Sequence, residues 1–228
     1  MTVDIVTVQV CFVIDCTGSM GPWIQQAKTH VADIMNGVSI QYPRARCRVG
    51  FVGYRDYGDV DQCIVIPFQH PADTMEQIRE VHAEGGSDTA EDVAHGLQSA
   101  LDMDWSVGSV RMVFHIADAP AHGMMYHDVH VSDRYPRGDP TGLQLDQIVE
   151  HMSSLGIDFT FVKINDSTDT MLEAFHNSYA HGGVFRVLDL RPQTSDTGET
   201  YTRLPPLLAR EITDSIERHT SSQETQYY

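Results

Sequence analysis

Apolar and polar positions follow two different periods along this chain, and the periods alternate. Short apolar runs rich in β-branched residues predict buried strands, and apolar residues spaced three and four apart predict helices. The predicted strands are residues 8–14, 47–54, 63–68, 110–117, 157–164 and 184–188. The predicted helices are residues 22–38, 71–81, 90–102, 145–152 and 171–180. Strands and helices therefore alternate over most of the chain.

One pair of strands breaks the alternation. Residues 47–54 and 63–68 are separated by a turn-like segment around Gly58, which predicts a hairpin. Pro67 in the second strand favours an edge position, because proline has no amide to donate to a neighbouring strand. Helices between otherwise parallel strands predict an α/β fold, a three-layer doubly wound sandwich. Its central sheet should be mostly parallel, with one antiparallel edge strand.

The C-terminal part of the chain is expected to be an extension of this domain. We assign residues 1–190 to the domain and residues 191–228 to the extension. Residues 194–202 are polar and predict a loose segment, and residues 220–228 predict a disordered tail. One face of a helix over about residues 204–219 is predicted from Leu204, Leu208, Ile212 and Ile216.

Charge and apolar content narrow the possible functions. The formal net charge is −17, so binding to the phosphate backbone of a nucleic acid is opposed and is not expected. No apolar stretch approaches the roughly 20 residues of a membrane span, so membrane insertion is not expected. Residues 1–4 lack the basic start and apolar stretch of a signal peptide.

The four cysteines show neither zinc-ligand spacing nor a CxxC pair. We expect them to be reduced, which favours an intracellular, cytoplasmic setting. They are Cys11, Cys16, Cys47 and Cys63.

The most informative string is Asp15-Cys16-Thr17-Gly18-Ser19, directly after the first predicted strand. A carboxylate and two hydroxyls one residue apart on a tight turn can point at one spot. Asp118 ends a second predicted central strand. In open α/β sheets, ligands lie outside the carboxyl ends of strands, where these residues should meet. Oxygen ligands of this kind suit Mg²⁺.

These residues resemble the von Willebrand factor type A domain and its metal-ion-dependent adhesion site, DxSxS…T…D. The resemblance covers roughly residues 8–188. It extends to the subgroup associated with alpha-type protein kinases, through the strings Gly53-Tyr54-Arg55-Asp56-Tyr57, Ala117-Asp118-Ala119-Pro120 and Tyr135-Pro136.

The resemblance implies a metal site and a way of binding proteins. The implied ligands are Asp15, Thr17, Ser19, Thr89 and Asp118. Ser87 is an alternative to Thr89, and Asp88 is a candidate for a contact through water. The implied ion is Mg²⁺ (or Mn²⁺), with one open position for an Asp or Glu of a protein partner.

Several simpler interpretations apply to the same residues. Asp15, Ser19 and Thr89 could each cap a helix. His122, His127 and His130 lie in one loop and could bind a second metal, although no acidic or cysteine partner is spaced to complete a zinc site. The tripeptide at 137–139, Arg-Gly-Asp, is interpreted as incidental. Around the turn at 55–59, the default interpretation is a solvated hairpin tip.

The sequence therefore predicts a divalent-metal-dependent protein-binding module, of the adhesion or scaffold kind, and not an enzyme. One alternative is Mg²⁺-dependent phosphoryl transfer or hydrolysis. Enzymes with an aspartyl nucleophile usually need a second carboxylate two residues later, where this chain has Thr17. The GxxxxGK[ST] phosphate loop is also missing from the sequence. The other alternative is a structural scaffold with a degenerate metal site.

Overall fold

The computed structural model describes residues 6–191 and 197–225. Its strands are β1 (Thr7–Asp15), β2 (Arg46–Tyr54), β3 (Cys63–Gln69), β4 (Val110–Ala117), β5 (Asp158–Lys163) and β6 (Phe185–Asp189). Its helices are α1 (Gly21–Gln41), α2 (Pro71–Ile78), α3 (Val93–Leu101), α4 (Leu145–Ser154), α5 (Asp169–Ser178) and α6 (Thr197–Thr225). A short 3₁₀ turn, Gly18–Met20, precedes α1.

The described strands form one sheet in the order β3-β2-β1-β4-β5-β6. All neighbours are parallel except β2 and β3, which pair antiparallel at the edge. The predicted α/β architecture with one antiparallel edge strand is confirmed. In the register of the sheet, Asp15 lies opposite Tyr54 of β2, and Ile14 lies opposite Ile116 of β4. The segments that follow β1, β2 and β4 therefore lie close together, at the carboxyl ends of these parallel strands.

Helices cover both faces of the sheet, which makes three layers. Alternate residues of β1 enter two different cores, as the pleat of a strand requires. One core joins the sheet to α1, α2 and α6, and the other joins it to α3, α4 and α5. In the first core, the rings of Phe12 and Phe114 stack with centroids 5.6 Å apart. The middle strands are buried on both faces, which explains why they are continuous apolar runs.

Two helices differ in extent from their predictions. The third helix begins at Val93 rather than residue 90, because Glu91 forms a β-bridge with Ala121 and Asp92 caps the helix by accepting the His95 amide at 3.1 Å. The last helix includes the predicted segment at 204–219 but also residues 197–202 and 220–225, where loose chain was predicted. The remaining parts of those predictions, at 194–196 and 226–228, lie outside the described residues.

The first four residues, which bear on the signal-peptide prediction, are also outside the description. The division at residue 190 stays a prediction, although α6 packs on the sheet. Its residues in that core are Leu204, Leu208, Ile212 and Ile216.

The edge of the sheet opposite the end of β1 carries an apolar groove of about 260 Å³. Val6 just before β1, Tyr42 just after α1, and Ile216 and Thr220 of α6 line it. All four cysteines are free thiols, as predicted. None of the helices in the described residues is both long and apolar enough to traverse a membrane.

A glycine in α3 allows this helix to lie directly on β2. A Cβ at Gly96 would lie 2.5 Å from Cδ1 of Tyr54, whose hydroxyl is 2.8 Å from His115 Nε2 beneath the end of β1. A Cβ at Gly37 in α1 would meet no atom of a neighbouring element within 4 Å among the described residues. We expect Gly96→Ala to lower the free energy of unfolding by about 1–3 kcal/mol, because overpacking outweighs helix propensity.

The matched control is Gly37→Ala, which should raise the free energy of unfolding by about 0.5–1 kcal/mol. Urea denaturation of both variants measures the difference. Equal stabilisation by the two substitutions would show that α3 does not need glycine at this contact.

Candidate metal centre

The loop after β1 folds its polar side chains onto Asp15. Oδ1 of Asp15 accepts hydrogen bonds from the amide of Thr17 at 2.8 Å and from its hydroxyl at 2.7 Å. Both residues are buried. The other oxygen, Oδ2, is buried and has no hydrogen-bond partner in the part of the chain that the structure describes. Oδ1 of Asp15 thus holds the loop in place, and Oδ2 remains available to a ligand.

Asp118 follows β4 and faces the same loop. Its main-chain oxygen accepts from Asn165 Nδ2 at 2.6 Å and from the Ser167 hydroxyl at 2.7 Å, which fixes the backbone at this point. Burial raises the pKa of the Asp118 carboxyl, and a hydrogen bond from Ser19 acts in the opposite direction. Oδ1 of Asp118 is also buried and has no partner among the described residues.

A third carboxylate, Glu91, lies beside this pair. It is 4 % exposed, and its Oε2 has no partner within the described ranges. Burial and then the charge of Asp15 raise the pKa of Glu91 to about 10. Burial, with a smaller contribution from the charge of Asp118, raises the pKa of Asp15 to about 7. Crowded carboxylates with unpaired oxygens are the surroundings in which a cation is stabilised.

The glycine loop before α3 reaches the same place. The Gly18 amide donates to the carbonyl of Gly85 at 3.3 Å. Gly86 has φ +81°, and a Cβ there would lie 3.0 Å from Glu91 Oε1 and 3.2 Å from Thr17 Cβ. Only glycine combines this backbone conformation with so close an approach. The two loops therefore touch through main-chain atoms.

The structure brings four of the five predicted ligands together, and no contact of the fifth, Thr89, with them is seen among the described residues. Asp15 contacts Thr17, Ser19 contacts Asp118, and the charges of the two aspartates act on each other. Thr89 is exposed, and its amide donates to the carbonyl of Ser132 at 3.0 Å. Its role as the fifth ligand stays a prediction.

The alternative to Thr89, Ser87, faces a different carboxylate. Its hydroxyl donates to Oδ2 of Asp56 at 2.9 Å. Neighbouring Asp88 has Oδ1 buried without a partner among the described residues, and its Oδ2 accepts the Arg134 amide. Ser87 and Asp88 of the glycine loop therefore lie beside Asp56, in the turn after β2.

The interpretation of residues 55–59 as a solvated hairpin tip is wrong. Arg55 is 2 % exposed and Asp56 is fully buried. The guanidinium of Arg55 donates to the carbonyls of Cys16, Val60, Asp61 and His82 and pairs with Glu84 at 3.2 Å. Asp59 accepts from the amides of Asp56 and Gly86. The turn is part of the framework of the site because its polar groups satisfy the backbone of the adjoining loops.

The histidine loop is anchored to the same framework. His122 lies between Asp56 and Asp133, with 2.8 Å from each ring nitrogen to a carboxylate oxygen. His127 Nε2 is 2.9 Å from the other oxygen of Asp133, and His130 is exposed. Asp139, of the Arg-Gly-Asp string, accepts from the Tyr57 hydroxyl and from the amides of residues 141 and 143. Its carboxylate is occupied within the fold.

Comparison with known proteins identifies the family. A family model described as the von Willebrand factor A domain matches residues 9–131. The chain belongs to the von Willebrand factor A domain family. Alpha-protein kinase vwkA from Dictyostelium discoideum is 38 % identical over 172 residues, which cover 74 % of this chain. This von Willebrand factor A domain spans only 27 % of that relative's length.

Solved structures support the fold of this von Willebrand factor A domain. The pilus adhesin SpaC from Lactobacillus rhamnosus GG, in its open conformation, superposes with a TM-score of 0.64 at 12 % identity. The match covers 95 % of this chain and 31 % of that one. The SpRpn10 VWA domain superposes with a TM-score of 0.57 at 11 % identity, over 87 % of this chain and 95 % of that one.

Sequence reasoning missed Glu91 and the burial of Asp56. Glu91 stands in an acidic pair, Glu91-Asp92, at the predicted start of a helix, where carboxylates are common without a ligand. The bridge to Ala121 and the bond from the Glu91 amide to the carbonyl of Pro120 place its backbone beside the site of this von Willebrand factor A domain. No local signal distinguishes that position from an ordinary first turn.

Proposed function

We propose that this von Willebrand factor A domain is a protein-binding module whose recognition depends on Mg²⁺ or Mn²⁺. The observation that supports it is a pair of buried oxygens, one on Asp15 and one on Asp118, that have no hydrogen-bond partner within residues 6–191 and 197–225. The two aspartates lie at the ends of adjacent strands. The available donors are all oxygens, which suits a hard divalent cation. Asp15, Thr17, Ser19 and Asp118 would hold the ion, with Thr89 as the proposed fifth ligand.

The bound cation would keep one coordination position open for a partner. Three of its five proposed ligands are neutral hydroxyls, so the ion would remain a stronger acceptor for a further anion than it would be among carboxylates alone. We therefore propose that the partner presents an Asp or Glu side chain to it. The pilus adhesin that shares this fold is in keeping with a role in protein binding.

The name of the Dictyostelium relative describes a kinase, but this chain spans only 27 % of it. We propose that the domain described here contributes binding rather than catalysis. The free thiols fit a reducing compartment, in agreement with the proposed cytoplasmic setting.

Removal of one carboxylate tests the proposal. We expect calorimetric titration to show that the wild type binds one Mn²⁺ ion and that Asp15→Asn and Asp118→Asn bind none. The matched control is Asp104→Asn, which makes the same charge change at an exposed position near the opposite edge of the sheet. Unchanged Mn²⁺ binding in the two site variants would contradict the metal site.

Partner recognition needs a separate experiment. Peptides selected from a random display library in Mg²⁺ should share an Asp or Glu, and EDTA should release them. Asp15→Asn should reproduce the loss, and Asp104→Asn should not. Binders that survive EDTA, or that lack an acidic residue, would contradict the metal-dependent mode.

A further inference from the structure

We propose a second cation site, distinct from the first, formed by Asp56, Asp88 and His122. One oxygen from each aspartate and a ring nitrogen of the histidine lie within 4.8 Å of one another. The three residues come from separate segments: the turn after β2, the glycine loop before α3 and the loop after β4. A single ion could therefore contact all three segments at once.

The orientation of His122 is that of a metal ligand. Its Nδ1 is 2.8 Å from Oδ1 of Asp133, which leaves Nε2 directed at Asp56. Asp133 is itself fixed, because it accepts the amides of Gly123 at 2.8 Å and Tyr135 at 2.7 Å. A carboxylate on the far nitrogen of a histidine is the arrangement that orients histidines toward metals. His122 is 4 % exposed, so its ring has no room to turn away.

The two carboxylates of the cluster lack a fixed positive charge. One oxygen of Asp56 and one of Asp88 lie within 4.8 Å of each other. None of the ion pairs among the described residues joins either of them to a lysine or an arginine. The buried Oδ1 of Asp88 has no donor in the described part of the chain. Without a metal, His122 is the partner that Asp56 has for a positive charge. A metal ion at Nε2 would take the place of its proton and would also contact Oδ1 of Asp88.

The donor set selects the class of ion. Mg²⁺, Ca²⁺ and Mn²⁺ suit oxygen ligands, whereas imidazole suits Zn²⁺, Cu²⁺, Ni²⁺ and iron. One nitrogen with two carboxylates therefore favours Zn²⁺ over Mg²⁺. The Ser87 hydroxyl, 2.9 Å from Oδ2 of Asp56, is a further oxygen beside the cluster. The site differs from the first in its chemistry, because Asp15, Thr17, Ser19 and Asp118 offer oxygen only.

The direct test is to follow the ring nitrogens of histidine while Zn²⁺ is added to the whole chain in excess Mg²⁺. We expect nuclear magnetic resonance of ¹⁵N-histidine-labelled protein to show a shift of Nε2 of His122. The resonances of His130, in the same loop but exposed, should stay unchanged. An unmoved His122 resonance at saturating Zn²⁺ would overturn the proposal, and this readout needs no variant to fold.

Substitutions separate this site from the first. His122→Gln and Asp88→Asn should weaken Zn²⁺ binding by at least tenfold, and Asp133→Asn by about 10–100-fold. His130→Gln is the matched control and should bind Zn²⁺ like the wild type. Asp15→Asn should lose the Mn²⁺ site but keep Zn²⁺. Loss of Zn²⁺ in Asp15→Asn, or wild-type binding in His122→Gln, would overturn the second site and leave the first untouched.

Discussion

Replacing Asp15 by asparagine is expected to stabilise the metal-free protein while it removes the proposed metal site. Asp15 is fully buried, and burial raises its pKa from 3.8 to about 7, although hydrogen bonds from Thr17 oppose the shift. Asparagine keeps an oxygen to accept both Thr17 bonds. Its amide would lie where Oδ2 now has no partner, close to Asp118 and Glu91. The substitution would therefore replace the repulsion between Asp15 and these two carboxylates by an N–H donor that faces them.

The same shift gives the metal-free protein a pH dependence with a definite sign. The folded state holds the Asp15 proton up to about pH 7, whereas the unfolded state releases it near 3.8. Between these values the folded state binds more protons, so its free energy of unfolding falls as pH rises. At about 1.4 kcal/mol per pH unit the part of the loss that comes from Asp15 is about 4 kcal/mol and is complete above pH 7.

Urea denaturation in EDTA between pH 4 and about 8 measures this effect. Wild type, Asp104→Asn and Asp15→Asn should all lose stability over the range, because the pKa of Glu91 is also raised by burial, to about 10. Asp15→Asn should lose about 4 kcal/mol less than the other two, and saturating Mn²⁺ should restore only those two. If Asp15→Asn is less stable than wild type at pH 8 in EDTA, the charged Asp15 carboxylate does not destabilise the metal-free protein. The residue needed for metal binding would then carry no cost in stability.

The second large effect is expected from Arg55→Lys. A guanidinium has five N–H donors, and in Arg55 all five have acceptors: four carbonyls and the carboxylate of Glu84. Lysine brings three donors on a point charge and cannot reach the same set. We expect the free energy of unfolding to fall by about 3 kcal/mol or more, because buried carbonyls lose their partners.

The Arg55 substitution should also weaken metal binding, since its acceptors lie in three segments around the site. Cys16 belongs to the first loop, residues 60 and 61 to the hairpin, and His82 to the segment that leads into the glycine loop. Arg44→Lys, at an exposed position, is the control and should change neither property. Denaturation and Mn²⁺ titration of both variants measure the outcome. Wild-type stability in Arg55→Lys would show that water replaces the lost bonds.

The sequence predicted the sheet well because its middle strands are buried on both faces. Such strands are apolar at most positions, and the prediction at 110–117 matches β4 to the residue. The polar loop after β1 was equally well predicted, because Asp15, Thr17 and Ser19 follow directly on an apolar run. Four of the predicted ligands meet there for this reason.

Residues whose surroundings come from distant segments could not be predicted. Charged residues at a hairpin turn are usually solvated, and only the packing of three loops buries Arg55 and Asp56. The length of α6 is a similar case, since the helix begins at Thr197, before the predicted segment at 204–219, and contains Pro205 and Pro206. Contacts with α1 and the sheet outweigh the local preference there.

The groove at the far edge of the sheet lies away from the candidate metal centre. Val6 and Thr220 are among its lining residues, whereas Asp15 and Asp118 lie at the opposite ends of the central strands. Polypeptide that packs in this groove would therefore leave the proposed metal site uncovered, and the two surfaces could be occupied at the same time.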